Sequence, residues 1–186
     1  MIVLLGVAGA GKSYQGRLMA DEYGFAWIST GEILRVLITG ERRRGMLAGK
    51  LLSDQEVIDV MDKVLELVDR DKEFVLDGFP RTIVQADWLL SQIKAGRFDL
   101  TAIFNLQADK DTVRERLLKR GRQDDTNSSI AERFKEYERV TLPILKFFRD
   151  AGVNVIDIDA SKASEIVHHK IIATVEAVHD GAKDPV

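Results

Sequence analysis

The residues with the clearest chemical potential form the turn Gly6–Ser13, which reads GVAGAGKS and follows the apolar run Met1–Leu5. Glycines let backbone N–H groups curl toward a phosphate, and the positive end of the next helix points to the same place. Lys12 can reach the outer phosphates, and the Ser13 hydroxyl is a suitable ligand for Mg²⁺. A strand-to-helix turn without a ligand is the alternative. The apolar run before and the predicted helix Tyr14–Tyr23 after favour phosphate binding.

A carboxylate and an arginine follow the third apolar run, Phe74–Leu76. Asp77 would lie at the carboxyl end of that strand, where ligands gather in parallel sheets, and is a candidate for organising Mg²⁺. Its alternative role is to close a turn before Gly78. Arg81 and Gln85 are four residues apart, and on one helix face they could offer a cation to a phosphate and an amide to a base edge. The alternative is a solvated arginine beside a surface glutamine.

Four arginines lie close together in the sequence, at Arg116, Arg120, Arg122 and Arg133. Like charges one helical turn apart, as at Arg116 and Arg120, repel each other unless an anion compensates them. An ordinary salt-bridge network with nearby carboxylates is the alternative for each residue taken singly. Together, the guanidinium groups suit phosphoryl transfer between two polyanions. A phosphate acceptor is already ionised near neutral pH, its second pKa being about 6, so no general base is required.

A further polar segment, Ser29-Thr30-Gly31-Glu32 with Arg35, follows the second apolar run. Thr30 or Ser29 could cap the helix that begins here, which would account for both hydroxyls. Arg35 would then be an ordinary exposed arginine, so this segment alone carries little functional information.

Five apolar runs alternate with helical patterns, which predicts an α/β fold with parallel strands covered by helices on both faces. Helices are expected at Glu32–Ile38, Ser53–Asp69 and Asp109–Arg120, with another starting at Ser129 and a closing one at Ser161–Val178. The predicted strands are Ile2–Leu5, Phe25–Ile28, Phe74–Leu76, Ala102–Leu106 and Val153–Ile158.

Composition excludes several classes of protein. The 186 residues, 45% of them hydrophobic, suit a single domain with its own core. A formal net charge of −3 argues against general nucleic-acid binding. The chain has no cysteine, so it has no disulfide and no thiolate metal site, and an intracellular, cytoplasmic location is the simpler expectation. No apolar stretch reaches the length that a membrane-spanning helix needs, so no membrane partner is expected.

Taken in order, these motifs resemble adenylate kinase and the related nucleoside monophosphate kinases, over nearly the whole chain. The matching elements are the glycine-rich loop, Ser29–Glu32 with Arg35, Gly49–Leu52, Asp77–Arg81 with Gln85, Arg116 with Arg120, and Arg122–Asp125 with Arg133. The Asp-Gly-Phe-Pro-Arg string combined with the phosphate loop and the Arg-x-Asp-Asp element is highly specific as a set.

The resemblance implies a P-loop, three-layer α/β/α domain over residues 1–186 with a five-stranded parallel sheet. The core would be residues 1–29, 70–120 and 126–180. A small helical flap that binds the monophosphate would cover about residues 30–69, and a minimal lid about residues 121–125. The implied reaction is MgATP plus AMP giving two ADP, with Mg²⁺ as the cofactor.

The resemblance also implies roles for individual residues. ATP would contact the loop and a stacking arginine: Gly9, Ala10, Gly11, Lys12, Ser13, Tyr14 and Arg116. AMP would be held by Thr30, Arg35, Lys50, Leu52, Gly78, Arg81, Gln85, Arg122 and Arg133. Catalytic charge neutralisation would come from Lys12, Arg81, Arg120, Arg122 and Arg133. Ser13 and Asp77 are the candidate metal ligands.

The chain departs from the family pattern at several positions. It has Ser13 and Tyr14 where glycine and threonine are usual, Glu32 in place of aspartate, and a short flap that contains Arg42–Arg44. A kinase for UMP, CMP or another nucleoside monophosphate is one alternative. A nucleotide-dependent regulatory module that binds without transfer is another.

Overall fold

The computed structural model describes residues 1–40, 52–121 and 127–181. Lys50, Arg122, Asp124 and Asp125 therefore lie outside the described residues, as do most of the predicted lid and Arg42–Arg44. The predicted division into core, flap and lid stays a prediction for that reason.

A five-stranded, all-parallel sheet forms the centre of the molecule, with strand order β2-β3-β1-β4-β5. The predicted fold class is thus confirmed. In the register, Asp77 pairs with Leu4 on one side and Ser29 on the other, so the glycine-rich turn after β1 lies at the same edge as both. The strands are β1 Ile2–Gly6, β2 Ala26–Ser29, β3 Phe74–Asp77, β4 Ala102–Gln107 and β5 Val155–Asp159.

Helices follow the strands, as the alternating pattern predicts. A π-helical turn, Tyr137–Thr141, lies between the sixth and seventh helices named below, and the sequence pattern did not indicate it. The helices in the described ranges are α1 Lys12–Tyr23, α2 Thr30–Leu37, α3 Asp54–Glu66, α4 Ile83–Lys94, α5 Lys110–Arg120, α6 Asn127–Glu136, α7 Leu142–Asp150 and α8 Ser164–Gly181.

The sheet separates two apolar cores, which explains why its strands read as continuous apolar runs. Val3 and Leu5 of β1 point into the core that contains Met61 of α3, Leu89 of α4 and Phe148 of α7. The alternate β1 residues Ile2 and Leu4 point into the other core, with Met19 of α1, Leu117 of α5 and Ile171 of α8. This arrangement is a three-layer α/β/α sandwich.

Some helix boundaries differ from the predicted ones. Helix α1 begins at Lys12, because Gly11 adopts the left-handed conformation that serves as its N-cap. Helix α6 begins at Asn127, two residues before the predicted start at Ser129. Helix α8 begins at Ser164, since Ser161 is used in a turn in which its N–H donates to Asp159 Oδ1 and its hydroxyl accepts from the Asp109 N–H. None of the described helices combines the length and apolar character needed to cross a bilayer.

Candidate active site

A cleft of about 980 Å³ opens at the carboxyl edge of the sheet. Thr30, Leu52 and Gln85 do not line it, although they were predicted to bind the acceptor. The predicted residues that do line it are Gly9, Ala10, Gly11, Lys12, Ser13, Tyr14, Arg35, Asp77, Gly78, Arg81, Arg116, Arg120 and Arg133.

The loop from β1 to α1 needs glycine at its first position. Gly6 has φ 137°, and a Cβ added there would lie 2.3 Å from the Leu106 carbonyl oxygen of β4. A real side chain does not fit at that distance. The loop therefore leaves the sheet in close contact with β4, and its backbone curls around the space in front of α1.

Lys12 is folded back into this loop. Its ammonium donates hydrogen bonds to the carbonyl oxygens of Gly6, at 2.8 Å, and Val7, at 3.0 Å. Burial lowers the pKa of Lys12 from 10.5 to about 8; Asp77 opposes this shift, whereas the positive charges of Arg81 and Arg120 add to it. Three cations thus act on one another in this part of the cleft, and a bound polyanion would relieve their repulsion.

Ser13 and Asp77 meet beside Lys12. The Ser13 hydroxyl donates to Asp77 Oδ2 at 2.6 Å, and Asp77 is buried at the end of β3. Among the described residues no group of three His, Cys, Asp or Glu side chains is placed to hold a metal. A hydroxyl and one carboxylate suit Mg²⁺, because this ion binds few protein oxygens and completes its shell with phosphates and water.

Two arginines converge near the start of α2. A Cβ added at Gly31 would lie 3.5 Å from both Arg35 Nη1 and Arg81 Nη2, so both guanidinium groups border one small space. Arg81 Nε also donates to the Gly78 carbonyl at 2.8 Å, which holds its side chain back toward the strand end. Glu32 Oε1 lies 3.9 Å from Arg35 Nη2 and accepts from Arg17 Nη2 at 3.0 Å, a contact that sequence reasoning missed.

The proposed hydroxyl cap of α2 is wrong. Ser29 occupies the N-cap position without a side-chain cap hydrogen bond. Thr30, the first helical residue, is fully buried, and its Oγ1 has no hydrogen-bond partner among the described residues. Capping therefore does not account for this hydroxyl.

Gln85 is buried in a network that ties α3 to α4. Its Oε1 accepts from the Arg81 backbone N–H at 2.8 Å, and its Nε2 donates to Asp54 Oδ1 at 2.8 Å. The Thr82 hydroxyl donates to the same Asp54 oxygen at 2.8 Å. The predicted shared helix face is wrong, because Arg81 lies before α4, which begins at Ile83. Gln85 instead pairs with the backbone N–H of Arg81. Asp54 was not predicted, because it looks like any acidic residue in a first helical turn.

Arg116 is compensated by backbone carbonyls. Its Nη1 donates to Ala160 at 2.7 Å and lies 3.5 Å from the Ala10 carbonyl, and its Nη2 donates to Lys162 at 3.2 Å. The repulsion expected from Arg120 is therefore offset in part by neutral oxygens. These contacts join the glycine-rich loop to the loop after β5, which places the guanidinium at one end of the cleft.

Gln15 and Tyr137 also line the cleft and were not predicted. Gln15 is buried; its Nε2 donates to the Ser164 carbonyl at 2.9 Å and its Oε1 lies 3.0 Å from His168 Nδ1. Tyr137 contacts Asn105 through its hydroxyl. The partners of these residues are far away in sequence, so no local pattern could have indicated them.

Comparison with known proteins assigns the chain to a family. The family model described as adenylate kinase matches residues 4–153. The chain is 35% identical to an adenylate kinase of Corynebacterium urealyticum over 181 residues, which cover 94% of this chain and 98% of that protein. It is 34% identical to adenylate kinase 1 of a Nostoc species over 180 residues, which cover 94% of this chain and 97% of that protein.

The chain belongs to the adenylate kinase family. The predicted resemblance is confirmed, and with it the enzyme class, a nucleoside monophosphate kinase that transfers a phosphoryl group reversibly between ATP and AMP.

Proposed function

We propose that this adenylate kinase family member converts MgATP and AMP into two ADP within the single cleft described above. The observation that carries the proposal is the convergence of Lys12, Arg35, Arg81, Arg120 and Arg133 on that cleft, beside the paired Ser13 and Asp77. So many cations around one space, in a chain whose net charge is −3, suit two bound polyphosphates.

The ATP half would be built on the loop. Backbone N–H groups of Gly9–Tyr14 would face its phosphates at the N-terminus of α1, where the helix dipole favours anions. The Arg116 guanidinium, fixed by its three carbonyl contacts, would present its face to the adenine ring. Bound phosphate would compete with the Gly6 and Val7 carbonyls for the Lys12 ammonium.

Mg²⁺ would be held by Ser13 and Asp77 together with oxygens of the nucleotide. When bound, the ion would supply positive charge that neutralises the phosphates of ATP. In this structure the short hydrogen bond between Ser13 and Asp77 keeps the two oxygens together, so little rearrangement is needed to turn both toward a cation.

The AMP half would be built at the start of α2 and the end of β3. Arg35 and Arg81 border the space in which its phosphate would sit. The Thr30 hydroxyl does not line the cleft in this structure, but it is buried without a partner, and a phosphate oxygen would supply that partner if AMP binding uncovers it. Gly78 would let the phosphate approach the backbone. Gln85 does not line the cleft in this structure, and it would read the base edge with the second N–H of the amide that Asp54 fixes. Lys50 and Leu52 would line the base pocket.

Transfer would rely on positioning and on charge. Lys12, Arg81, Arg120, Arg122 and Arg133 would surround the phosphoryl group as it moves between two phosphate oxygens, so that the developing charge is neutralised throughout. No described carboxylate or histidine needs to act as a base, because the AMP phosphate is already ionised at neutral pH. A cytoplasmic location suits a cysteine-free enzyme that draws on the ATP and AMP pools.

The test is ADP disproportionation with Mg²⁺, combined with acceptor assays in which AMP, CMP, UMP and GMP are compared under one condition. The proposal predicts that ADP alone yields ATP and AMP and that AMP is the preferred acceptor. Lys12→Ala should lower turnover by about 10³-fold. Lys146→Ala, which removes an exposed lysine that pairs with Asp150, should leave turnover unchanged.

Two results would contradict the proposal. ADP that binds but yields no ATP would favour a regulatory module without transfer. A pyrimidine monophosphate that outperforms AMP would favour a UMP or CMP kinase.

A further inference from the structure

The π-helical turn Tyr137–Thr141 joins helix α6 to helix α7. Helix α6 precedes it and carries Arg133, whereas α7 follows it and packs on α4 and β5. Such turns insert an extra residue into a helix, re-aim the side chains around it, and are frequent at functional sites. Tyr137, Val140 and Thr141 all line the cleft.

A chain of hydrogen bonds anchors this turn to the sheet. The Tyr137 hydroxyl donates to Asn105 Oδ1 of β4 at 3.1 Å, and Asn105 Nδ2 donates to Asp157 Oδ1 of β5 at 2.8 Å. Asp157 also accepts from Arg149 Nη2, near the end of α7, at 2.9 and 3.0 Å. Both ends of the π-turn and α7 unit are therefore tied to the same two strands.

Asn105 makes the Tyr137 contact specific. Its side chain is 1% exposed, and because its amide nitrogen faces Asp157, its oxygen must face the turn. That buried oxygen needs a donor, and among the described residues the Tyr137 phenol supplies it. Burial raises the pKa of Tyr137, so the hydroxyl remains a donor at alkaline pH.

Arg133 lies four residues before Tyr137, one helical turn away, and both face the cleft. We propose that Tyr137 is a positioning residue for phosphoryl transfer: its hydroxyl fixes the π-turn on β4 through Asn105 and so holds the Arg133 guanidinium toward the transferred group. The inference rests on the role of Arg133 in the proposed function. Tyr137 itself takes no part in binding or transfer.

The test is a double-mutant cycle of Tyr137→Phe and Arg133→Ala, read as kcat at saturating ATP and AMP and well below the Tm of each variant. Tyr137→Phe should lower kcat about tenfold, since a displacement of about 1 Å in a positioned group can cost as much or more. KM for both nucleotides should stay within about twofold. In the Arg133→Ala background the same change should have no further effect, because the group it positions is gone.

Thr101→Val is the matched control. It removes a hydroxyl that donates to Glu73 Oε2 at 2.6 Å, at the end of β4 away from the cleft, and should lower Tm without changing kcat.

Asp157→Ala is the second variant. It truncates a half-exposed residue that holds Asn105 from the side opposite Tyr137. This variant should lower kcat less than Tyr137→Phe does, and only when Arg133 is present.

The following results would contradict the positioning role of Tyr137. Equal losses of kcat in both backgrounds, or a normal kcat for Tyr137→Phe, would overturn the positioning role. A normal kcat for Arg133→Ala alone would refute the proposed role of Arg133 and the inference with it. If Tyr137→Phe does not fold, Asp157→Ala in the same cycle decides the question.

Discussion

Lys12 is a half-buried cation that lines the cleft. Its pKa is lowered to about 8, so in the free enzyme it begins to lose its proton just above neutral pH. The neutral amine cannot neutralise a phosphate. A nucleotide phosphate would favour the charged form and raise this pKa in the complex.

We therefore predict that kcat/KM for MgATP falls as pH rises through about 8, since this parameter reports the free enzyme. Between about pH 8 and pH 10.5 the unfolded chain binds more protons at Lys12 than the folded chain does. The free energy of unfolding should therefore rise with pH over this range, because the cost of burying a charged Lys12 disappears. Lys12→Arg, which stays charged, should be less active but should lack this alkaline decline. A decline of the same shape in Lys12→Arg would assign it to another group.

Thr30 shows how a buried polar atom can indicate a ligand. Replacement of its unpartnered hydroxyl by a methyl group removes a desolvated group that forms no hydrogen bond with the described residues. Thr30→Val should leave the Tm of the free enzyme unchanged or raise it, while KM for AMP rises by about tenfold, the value of one lost charge-assisted hydrogen bond. Thr101→Val should instead lower Tm and leave KM for AMP unchanged, because its hydroxyl is bonded to Glu73 away from the cleft. An unchanged KM for AMP in Thr30→Val would remove Thr30 from the acceptor site.

At the scale of elements, Gly6 and Gly11 of the glycine-rich loop are required for different reasons. Gly6 and Gly11 both have positive φ, but only at Gly6 would a Cβ meet a neighbouring strand. At Gly11 no described atom lies within 4 Å of the added Cβ. The loop is thus constrained by contact with β4 at its start and by backbone conformation alone at its end.

Gly11→Ala should lower the free energy of unfolding by about 1–2 kcal/mol, the cost of a left-handed conformation. Gly6→Ala should lower it by clearly more, because the steric overlap with the Leu106 carbonyl adds a cost of about 1–3 kcal/mol. Denaturant unfolding of both variants measures the difference. Equal losses would mean that β1 and β4 can separate at this point at little cost.

Elements with strong local patterns were predictable from sequence, and contacts between distant elements were not. The carboxyl ends of β1 and β3 were predicted at Leu5 and Leu76, each within one residue of the observed end, because apolar runs mark buried parallel strands. The Thr30 hydroxyl was given a capping role as the ordinary interpretation, because its burial depends on tertiary packing. The π-helical turn at Tyr137 was not predicted, because one inserted residue hardly changes an apolar pattern of period 3.6.

At the scale of the whole molecule, the account depends on one cleft that receives two nucleotides. The chain carries a net charge of −3, yet one cleft at the carboxyl edge of the sheet is lined by Lys12, Arg35, Arg81, Arg120 and Arg133. Most of the binding energy should therefore come from phosphates that meet in that space rather than from either base alone.

A calorimetric titration with a bisubstrate analogue, two adenosines joined through a polyphosphate chain, tests this claim most directly. With Mg²⁺ present, the account predicts one analogue bound per chain, with ATP and AMP each displaced by it, and binding weakened in Lys12→Ala and in Arg35→Ala but not in Lys146→Ala. An analogue that displaces ATP but leaves AMP bound would place the two nucleotides in separate sites and contradict the account.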